Sequence, residues 1–268
     1  MSGAAAHVAA GDPPPFVRLT SHPVRWRLLQ ELVRSDRAVS ELTALVDEPQ
    51  SLVSYHLRQL RDGGLVSARR SSADRRDSYY TVDLVACRQA FQAAGGALHP
   101  ALRVAEWCPF DPLGERSGRR RRVLFLCTGN SARSQIAEAL IEQMSAGAIE
   151  ARSAGSDPQP LHPNAVRVLQ TRGIDISRNR TKHLDEFISE RFDEVITLCD
   201  RVREVCPTFS SRPDLVHWSI PNPALEGSTN RASYPAFVRT ADELTTRLSF
   251  RLHLSTMTPT RRSTHAQR

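Results

Sequence analysis

The sequence predicts two domains of different class: a mainly α N-terminal domain built as a winged helix-turn-helix, and an α/β C-terminal domain around a parallel sheet. Three observations carry that reading. From Val123 onward, apolar strand-like runs alternate with helical patterns, as in a parallel sheet covered by helices. Before that, three helical segments are followed by two alternating segments around a polar tip. Between the two patterns the chain turns irregular, with Gly95-Gly96, His99-Pro100 and Trp107-Cys108-Pro109, and reads as a linker over 95–120. A length of 268 residues leaves room for two cores. The expected domains are therefore 16–94 and 121–254, with disordered tails at 1–15 and 255–268.

The formal charge of +7 and pI of about 9.7 suit a nucleic-acid or oxyanion partner, and equally an ordinary soluble surface. Residues 1–15 are rich in Ala, Gly and Pro and lack the basic start and apolar core of a signal peptide. No run approaches the roughly 20 apolar residues that cross a bilayer, so a cytoplasmic protein without a membrane partner is expected. Five cysteines, an odd number, point to thiol chemistry in a reducing compartment and away from a disulfide scaffold.

The first helix is expected over 21–33, with Ser21 as capping residue, Pro23 in the first turn and apolar residues at helical spacing. A short helix over 38–46, the turn Asp47-Glu48-Pro49-Gln50 and a third helix over 51–63 complete the helix-turn-helix outline. The third helix is expected to bury Leu52, Val53, Leu57 and Leu60. Ser51, Ser54, Tyr55, His56, Arg58 and Gln59 are then left on exposed and flanking sides, where they can enter a major groove. Strand patterns at 65–70 and 78–82 flank a polar tip, so Arg69, Arg70, Arg75 and Arg76 sit on a wing able to meet phosphates. A solvated hairpin tip is the plainer account of any one of these arginines. The run Arg119 to Arg122 reads first as solvated linker and second as a nucleic-acid contact.

In the second domain, strands are expected at 123–126, 149–153 and 192–198, and helices at 134–144, 163–172 and 234–252. Ligands of such a sheet bind beyond the carboxyl ends of its strands, where Cys127 and Cys199 both fall. The segment Cys127-Thr-Gly-Asn-Ser-Ala-Arg133-Ser134 runs from a strand end through small residues into a helix start. The backbone amides of Thr128, Gly129, Asn130, Ser131, Ala132 and Arg133 can point inward at a tetrahedral anion. The helix dipole adds positive potential, and the Arg133 fork matches two anion oxygens. The same field favours the thiolate of Cys127, making it a nucleophile within an oxyanion cradle. Cys199 and Cys206 stand seven apart, a spacing able to exchange a disulfide if the segment between them is helical and can loosen.

Two resemblances follow from these motifs. His22-Pro23-Val24-Arg25 and Ser51-x-x-Ser54-x-His56-Leu57-x-x-Leu60, in the order helix, helix, recognition helix, wing, are similar to the ArsR/SmtB family of dimeric repressors. That resemblance implies operator DNA as partner and a homodimer formed through the winged-helix domain. Arsenite-sensing members carry Cys-x-Cys on the helix before the turn, and this chain has Ala38-Val39-Ser40-Glu41-Leu42 there. Cys87 and Cys108 are the remaining thiols for a soft arsenite site, although core or incidental cysteines are the plainer reading.

The loop from Cys127 to Ser134 resembles that of the low-molecular-weight protein tyrosine phosphatases and their relatives the arsenate reductases, over about 121–252. With Cys199 and Cys206 the resemblance is to the thioredoxin-coupled arsenate reductases. It implies attack of Cys127 on arsenate held by the loop and Arg133, with Asn130 bracing the loop and Ser134 stabilising the thiolate. Cys199 then displaces arsenite, Cys206 moves the disulfide outward, and thioredoxin or a low-molecular-weight thiol resets the enzyme without a tightly bound cofactor. The family's potassium site carries over onto Asn130, Glu138, Ser153 and Asp175, although Asp175 also reads as a turn cap. Where the family has an aspartate general acid, this chain has Asn222 in His217-Trp-Ser-Ile-Pro-Asn222-Pro223. An amide donates no acidic proton, which weakens a tyrosine phosphatase reading more than a reductase one. The alternatives left by the sequence are a phosphatase fused to a regulator, and a regulator whose second domain senses oxyanion or redox state with little turnover.

Overall fold

The computed structural model describes residues 12–74, 76–99, 102, 120–209 and 211–257, with side chains described to Leu252. The chain divides near residue 107 into two compact units, N-terminal and C-terminal.

The N-terminal unit begins with α1 (Pro15–Thr20), α2 (Pro23–Arg34), β1 (Arg37–Ala38), α3 (Val39–Val46) and α4 (Gln50–Asp62). It continues with β2 (Val66–Arg70), β3 (Ser78–Val82) and α5 (Leu84–Leu98). The cap of α2 is His22 instead of Ser21: its Nδ1 accepts the Val24 N–H at 3.2 Å. Asp47, in the left-handed region at φ 52°, ends α3 and turns the chain toward α4. Arg27 locks that corner by donating to the Val46 carbonyl and to Glu48, both at 2.6 Å. Leu28, Leu32, Leu42, Val53, Leu57 and Leu60 make one core, sealed by Val66 and Val82 of the wing. β2 and β3 pair antiparallel with Val66 opposite Val82 and Arg70 opposite Ser78, and the two-residue β1 adds to the far edge of β3. The last helix runs on to Leu98, four residues past the boundary expected at Ala94.

Two expectations for α4 are corrected. Leu52 is 36% exposed, whereas His56 is 3% exposed and belongs to the inner face, its ring 4.2 Å from that of His22. His56 is therefore withdrawn from the set of groove-facing residues, since a buried ring cannot reach a base edge. Burial, followed by the charges of His22 and Arg25, holds its pKa below the usual 6.5. A base whose folded pKa is depressed binds fewer protons in the native state. It therefore contributes stability that is intact above pH 6.5 and lost as pH falls through that value. The N-terminal unit is expected to melt earlier at pH 5 than at pH 7.5, and His56→Phe to flatten that dependence; equal slopes for the two proteins in pH-dependent thermal unfolding would contradict it.

The C-terminal unit holds β4 (Arg121–Cys127), α6 (Arg133–Met144), β5 (Ile149–Gly155), α7 (Pro163–Gln170), β6 (Glu194–Thr197), α8 (Asp200–Glu204), β7 (Asp214–His217) and α9 (Asn230–Met257). The sheet order is β5-β4-β6-β7, with β4 parallel to both β5 and β6. β4 reads Val-Leu-Phe-Leu-Cys and is buried throughout that run, as a central parallel strand must be. Helix α6 packs against β4, β5 and α9 and is buried continuously from Arg133 to Ile141. An all-apolar stretch would suit such a position. Instead it holds Arg133, Ser134, Gln135 and Glu138, polar groups that each require a partner. Among the described residues no helix is long and apolar enough to cross a membrane.

Candidate active site

Cys127 ends β4, and the next five residues turn the chain into α6. The turn is held from outside. The carbonyls of Thr128, Gly129 and Ser131 accept the N–H groups of Asp157, Gln159 and His162 at 2.9, 2.8 and 2.9 Å. His162 also starts α7, its Nδ1 accepting the Asn164 N–H at 3.1 Å and its ring stacked 4.5 Å from Phe237, so the brace is itself packed. With the carbonyls of Thr128, Gly129 and Ser131 committed outward, the loop is held in a curve whose N–H groups at the start of α6 can face an anion.

Asn130 makes the curvature possible. Its φ is 46°, a left-handed conformation that asparagine tolerates better than most residues, and it is fully buried. All its side-chain hydrogen-bonding positions are used. Nδ2 donates to Ser134 Oγ and Ser153 Oγ, both at 2.9 Å, while Oδ1 accepts from Gln135 Nε2 at 3.2 Å and the Lys182 N–H at 2.8 Å. Ser134 Oγ lies 3.0 Å from Cys127 Sγ. While accepting from Asn130 it keeps its own hydrogen free to donate to the sulfur, an arrangement that can stabilise a thiolate.

The cradle needs Gly155 at the end of β5. A Cβ there would lie 2.4 Å from the Thr128 carbonyl oxygen, 2.8 Å from the Asn130 nitrogen and 3.0 Å from the Cys127 carbonyl oxygen, all backbone atoms. Gly155→Ala must therefore displace the anion loop. We expect a cost of about 1–3 kcal/mol, typical of overpacking, and loss of most phosphate affinity in a calorimetric titration. Retained affinity would mean that the loop adjusts without strain.

Arg133 is buried, its Nη1 donating to the carbonyls of Ile220 at 2.9 Å and Leu198 at 3.4 Å. These carbonyls precede Cys199 by one residue and Asn222 by two, so Arg133 draws both segments to the cradle. Cys199 caps α8, is buried, and has Sγ 3.3 Å from Thr128 Oγ1 at the cradle's rim. Cys206 lies beyond α8, half-buried, and burial pushes its thiol up from the ordinary value. The segment between the two thiols contains a helix of only five residues. Asn222 Oδ1 accepts the Ala224 N–H at 3.2 Å, capping the short turn Pro223–Leu225.

Of the residues expected to hold potassium, Asn130, Glu138 and Ser153 come together through hydrogen bonds from Asn130 to Ser153 and from Ser153 to Glu138. Asp175 does not join that network. Its Oδ1 accepts the Ser177 N–H at 2.8 Å, and this bond holds its exposed carboxyl below the usual range. The Lys182 ammonium stands in its place, 3.3 and 3.5 Å from the two Glu138 oxygens. Residues that already present an ammonium to Glu138 do not fit a metal cation, and the potassium assignment is corrected accordingly.

In the N-terminal unit Ser51, Tyr55 and Arg58 are exposed along α4, with Ser54 part-exposed between them, and Arg70 and Arg76 are exposed on the wing. Arg69 is half-buried, and Arg75 lies outside the described residues. Cys87 packs against the core beside Leu65, and burial followed by the charge of Asp83 pushes its thiol up to about 11. It is thus protonated near neutral pH, unlike a ready arsenite ligand. Cys108 lies outside the described residues. Gly155 and Lys182 were not singled out from the sequence. A glycine closing a strand pattern is a weak signal of close backbone approach, and the lysine's only signal is its rarity in an arginine-rich chain.

Comparison with known proteins bears on both units. Residues 122–253 match the low molecular weight phosphotyrosine protein phosphatase family, and residues 22–68 match the bacterial regulatory proteins of the arsR family. The arsenate reductase of Halalkalibacterium halodurans is 35% identical over 129 residues, 48% of this chain and 93% of its own length. That of Brevibacillus brevis is 37% identical over 129 residues, 48% of this chain and 92% of its own. The solved arsenate reductase of Archaeoglobus fulgidus is 28% identical, aligning 49% of this chain and 98% of its own with a TM-score of 0.41. The near full-length match to the reductases of Halalkalibacterium halodurans and Brevibacillus brevis places the C-terminal half of the chain in the arsenate reductase family, and the N-terminal half carries a helix-turn-helix that matches the arsR family model over residues 22–68.

Proposed function

We propose that the chain is a bifunctional arsenic-resistance protein of the reducing cytoplasm: its C-terminal unit reduces arsenate to arsenite by a thiol–disulfide relay, and its N-terminal unit binds operator DNA. The observation that carries the relay is the placement of Cys199 Sγ 3.3 Å from Thr128 Oγ1, a second thiol at the rim of the cradle that holds Cys127. A phosphatase has no use for it, and Asn222 deprives a phosphatase of its acid.

The steps balance as follows. The Cys127 thiolate attacks arsenic(V), forming an S–As bond as one As–O bond breaks, and the departing hydroxide takes a proton from solvent to leave as water. Cys199 attacks Cys127 Sγ; the S–S bond forms, and the S–As electron pair departs with arsenic, now arsenite. Cys206 attacks Cys199, expelling the Cys127 thiolate, and an external dithiol, thioredoxin or a smaller thiol, reduces Cys199–Cys206. The backbone N–H groups and Arg133 hold the oxyanion through the first two steps.

For the N-terminal unit, Ser51, Tyr55 and Arg58 would meet base edges, and Arg69, Arg70, Arg75 and Arg76 the phosphates. Val17, Phe91 and Leu98 are exposed on α1 and α5, where Phe16 and Phe91 meet edge to face, and this apolar face supports a homodimer through that unit. The test is arsenite formation by the full chain with thioredoxin, thioredoxin reductase and NADPH, alongside operator binding at several salt concentrations. Catalytic turnover and a steep loss of DNA affinity with salt support both halves. A folded, reduced protein that binds DNA, responds to arsenate and makes no arsenite would be a sensor and not a reductase.

A further inference from the structure

Lys182 is the only lysine in the chain; every other basic side chain among the 36 is an arginine. Its backbone is fixed on both sides, the N–H donating to Asn130 Oδ1 at 2.8 Å and the carbonyl accepting from Gly155 at 2.9 Å. Its side chain, 14% exposed, carries the ammonium to Glu138, whose side chain is 11% exposed. A carboxylate so far from water requires a compensating charge.

From Glu138 one hydrogen-bonded path leads to the nucleophile. Ser153 donates its hydroxyl hydrogen to Glu138 Oε2. Ser153 Oγ can then only accept, and it takes an Asn130 Nδ2–H at 2.9 Å. The other Nδ2–H goes to Ser134 at 2.9 Å, and Ser134 faces Cys127 Sγ at 3.0 Å. The charge at Glu138 thus fixes the Ser153 hydroxyl as a donor toward it, the Asn130 amide, oriented by the N–H groups its Oδ1 accepts, carries the path on to Ser134, and the bonds of such a chain polarise one another.

We propose that Lys182 is a positioning residue acting as a tethered monovalent cation. Its ammonium supplies, from within the chain, the charge that the Glu138–Ser153–Asn130 seat would otherwise draw from a solvent cation, so the reactivity of Cys127 does not depend on potassium. A lysine suits the role because its ammonium is a compact point charge, whereas a guanidinium is a planar fork. A cavity of about 660 Å³ adjoins the seat, its charged lining made of Glu138, Glu142, Asp175, Arg178, Arg180 and Lys182, so truncating the lysine leaves room and access for an ion beside three carboxylates and two guanidinium groups.

The inference rests on Cys127 being the nucleophile of the proposed reaction, and its test avoids arsenate. The rate of Cys127 alkylation by iodoacetamide, mapped by mass spectrometry, is measured on the full chain in choline chloride and in potassium chloride at equal ionic strength. The wild type should react at the same rate in both. Lys182→Ala should be slowed about tenfold in choline chloride, the order expected when one charge is removed from a polarised hydrogen-bond chain, and should regain most of that rate in potassium chloride. A merely structural lysine would give a variant that no particular cation rescues. Wild-type alkylation accelerated by potassium would overturn the proposal even if Lys182→Ala failed to fold, and so would a variant as fast as wild type in choline chloride. Alkylation as expected with no arsenite formed would overturn the reductase reading and leave this one standing.

Discussion

Serine at Cys127 is expected to abolish arsenite formation, a loss of at least about 10⁴-fold, the order seen when a covalent nucleophile is removed. Serine at Cys199 or Cys206 should halt the reaction at two other points. The distinction follows from position. Among the thiols of the described residues, Cys127 is the one at the start of the loop, with Ser134 Oγ at 3.0 Å. Cys199 stands at the rim, 3.3 Å from Thr128 Oγ1, and Cys206 lies beyond the five-residue α8. Cys199→Ser should therefore bind arsenate and release no arsenite. Cys206→Ser should release one arsenite per chain and then stop as a Cys127–Cys199 disulfide, visible by peptide mapping. Because burial pushes the Cys206 thiol up, its thiolate fraction grows about tenfold per pH unit below its titration midpoint. The step it performs should accelerate in proportion between pH 6.5 and 8.5. Sustained turnover by Cys206→Ser with thioredoxin present would remove that residue from the relay.

Much of this site was legible because its parts are close in sequence. A five-residue apolar run ending in cysteine, followed by small residues and an arginine at a helix start, specifies strand, cradle and helix within one stretch of chain, and α6 begins within a residue of where the pattern places it. Elements without a pattern were not legible. β1 has two residues, too few to alternate, and β7 has two exposed residues followed by two buried ones, a sequence of burial that mimics no period. On α4 the 3.6-residue repeat was visible but its phase was displaced, because it cannot tell an inward histidine beside His22 from an outward one. The role of Lys182 was not legible, although its being the chain's one lysine was. Its partner Glu138 is 44 residues away, and the pairing exists only once the end of β5 has brought Gly155 against the Lys182 backbone.

Aspartate at position 222 is expected to convert a poor phosphatase into a competent one, raising aryl phosphate hydrolysis about 10²- to 10⁴-fold, the usual worth of general acid catalysis. The substitution should not disturb the fold. Asp and Asn are equivalent at a helix cap, and one carboxyl oxygen can keep the Ala224 N–H that Asn222 Oδ1 now accepts at 3.2 Å. The second oxygen can then carry a proton to the departing alkoxide. The segment is already held at the cradle, since Arg133 donates to the Ile220 carbonyl at 2.9 Å. Single-turnover arsenite formation should change far less, because the displacement of arsenite is driven by a thiol and releases no alkoxide. The two rates measured on one variant thus separate the chemistries: a large gain in hydrolysis with little change in reduction means that position 222 sets which reaction the shared cradle performs. Equal gains in both would mean that an acid also assists the loss of water from arsenate, and that the native asparagine slows the reductase as well as the phosphatase.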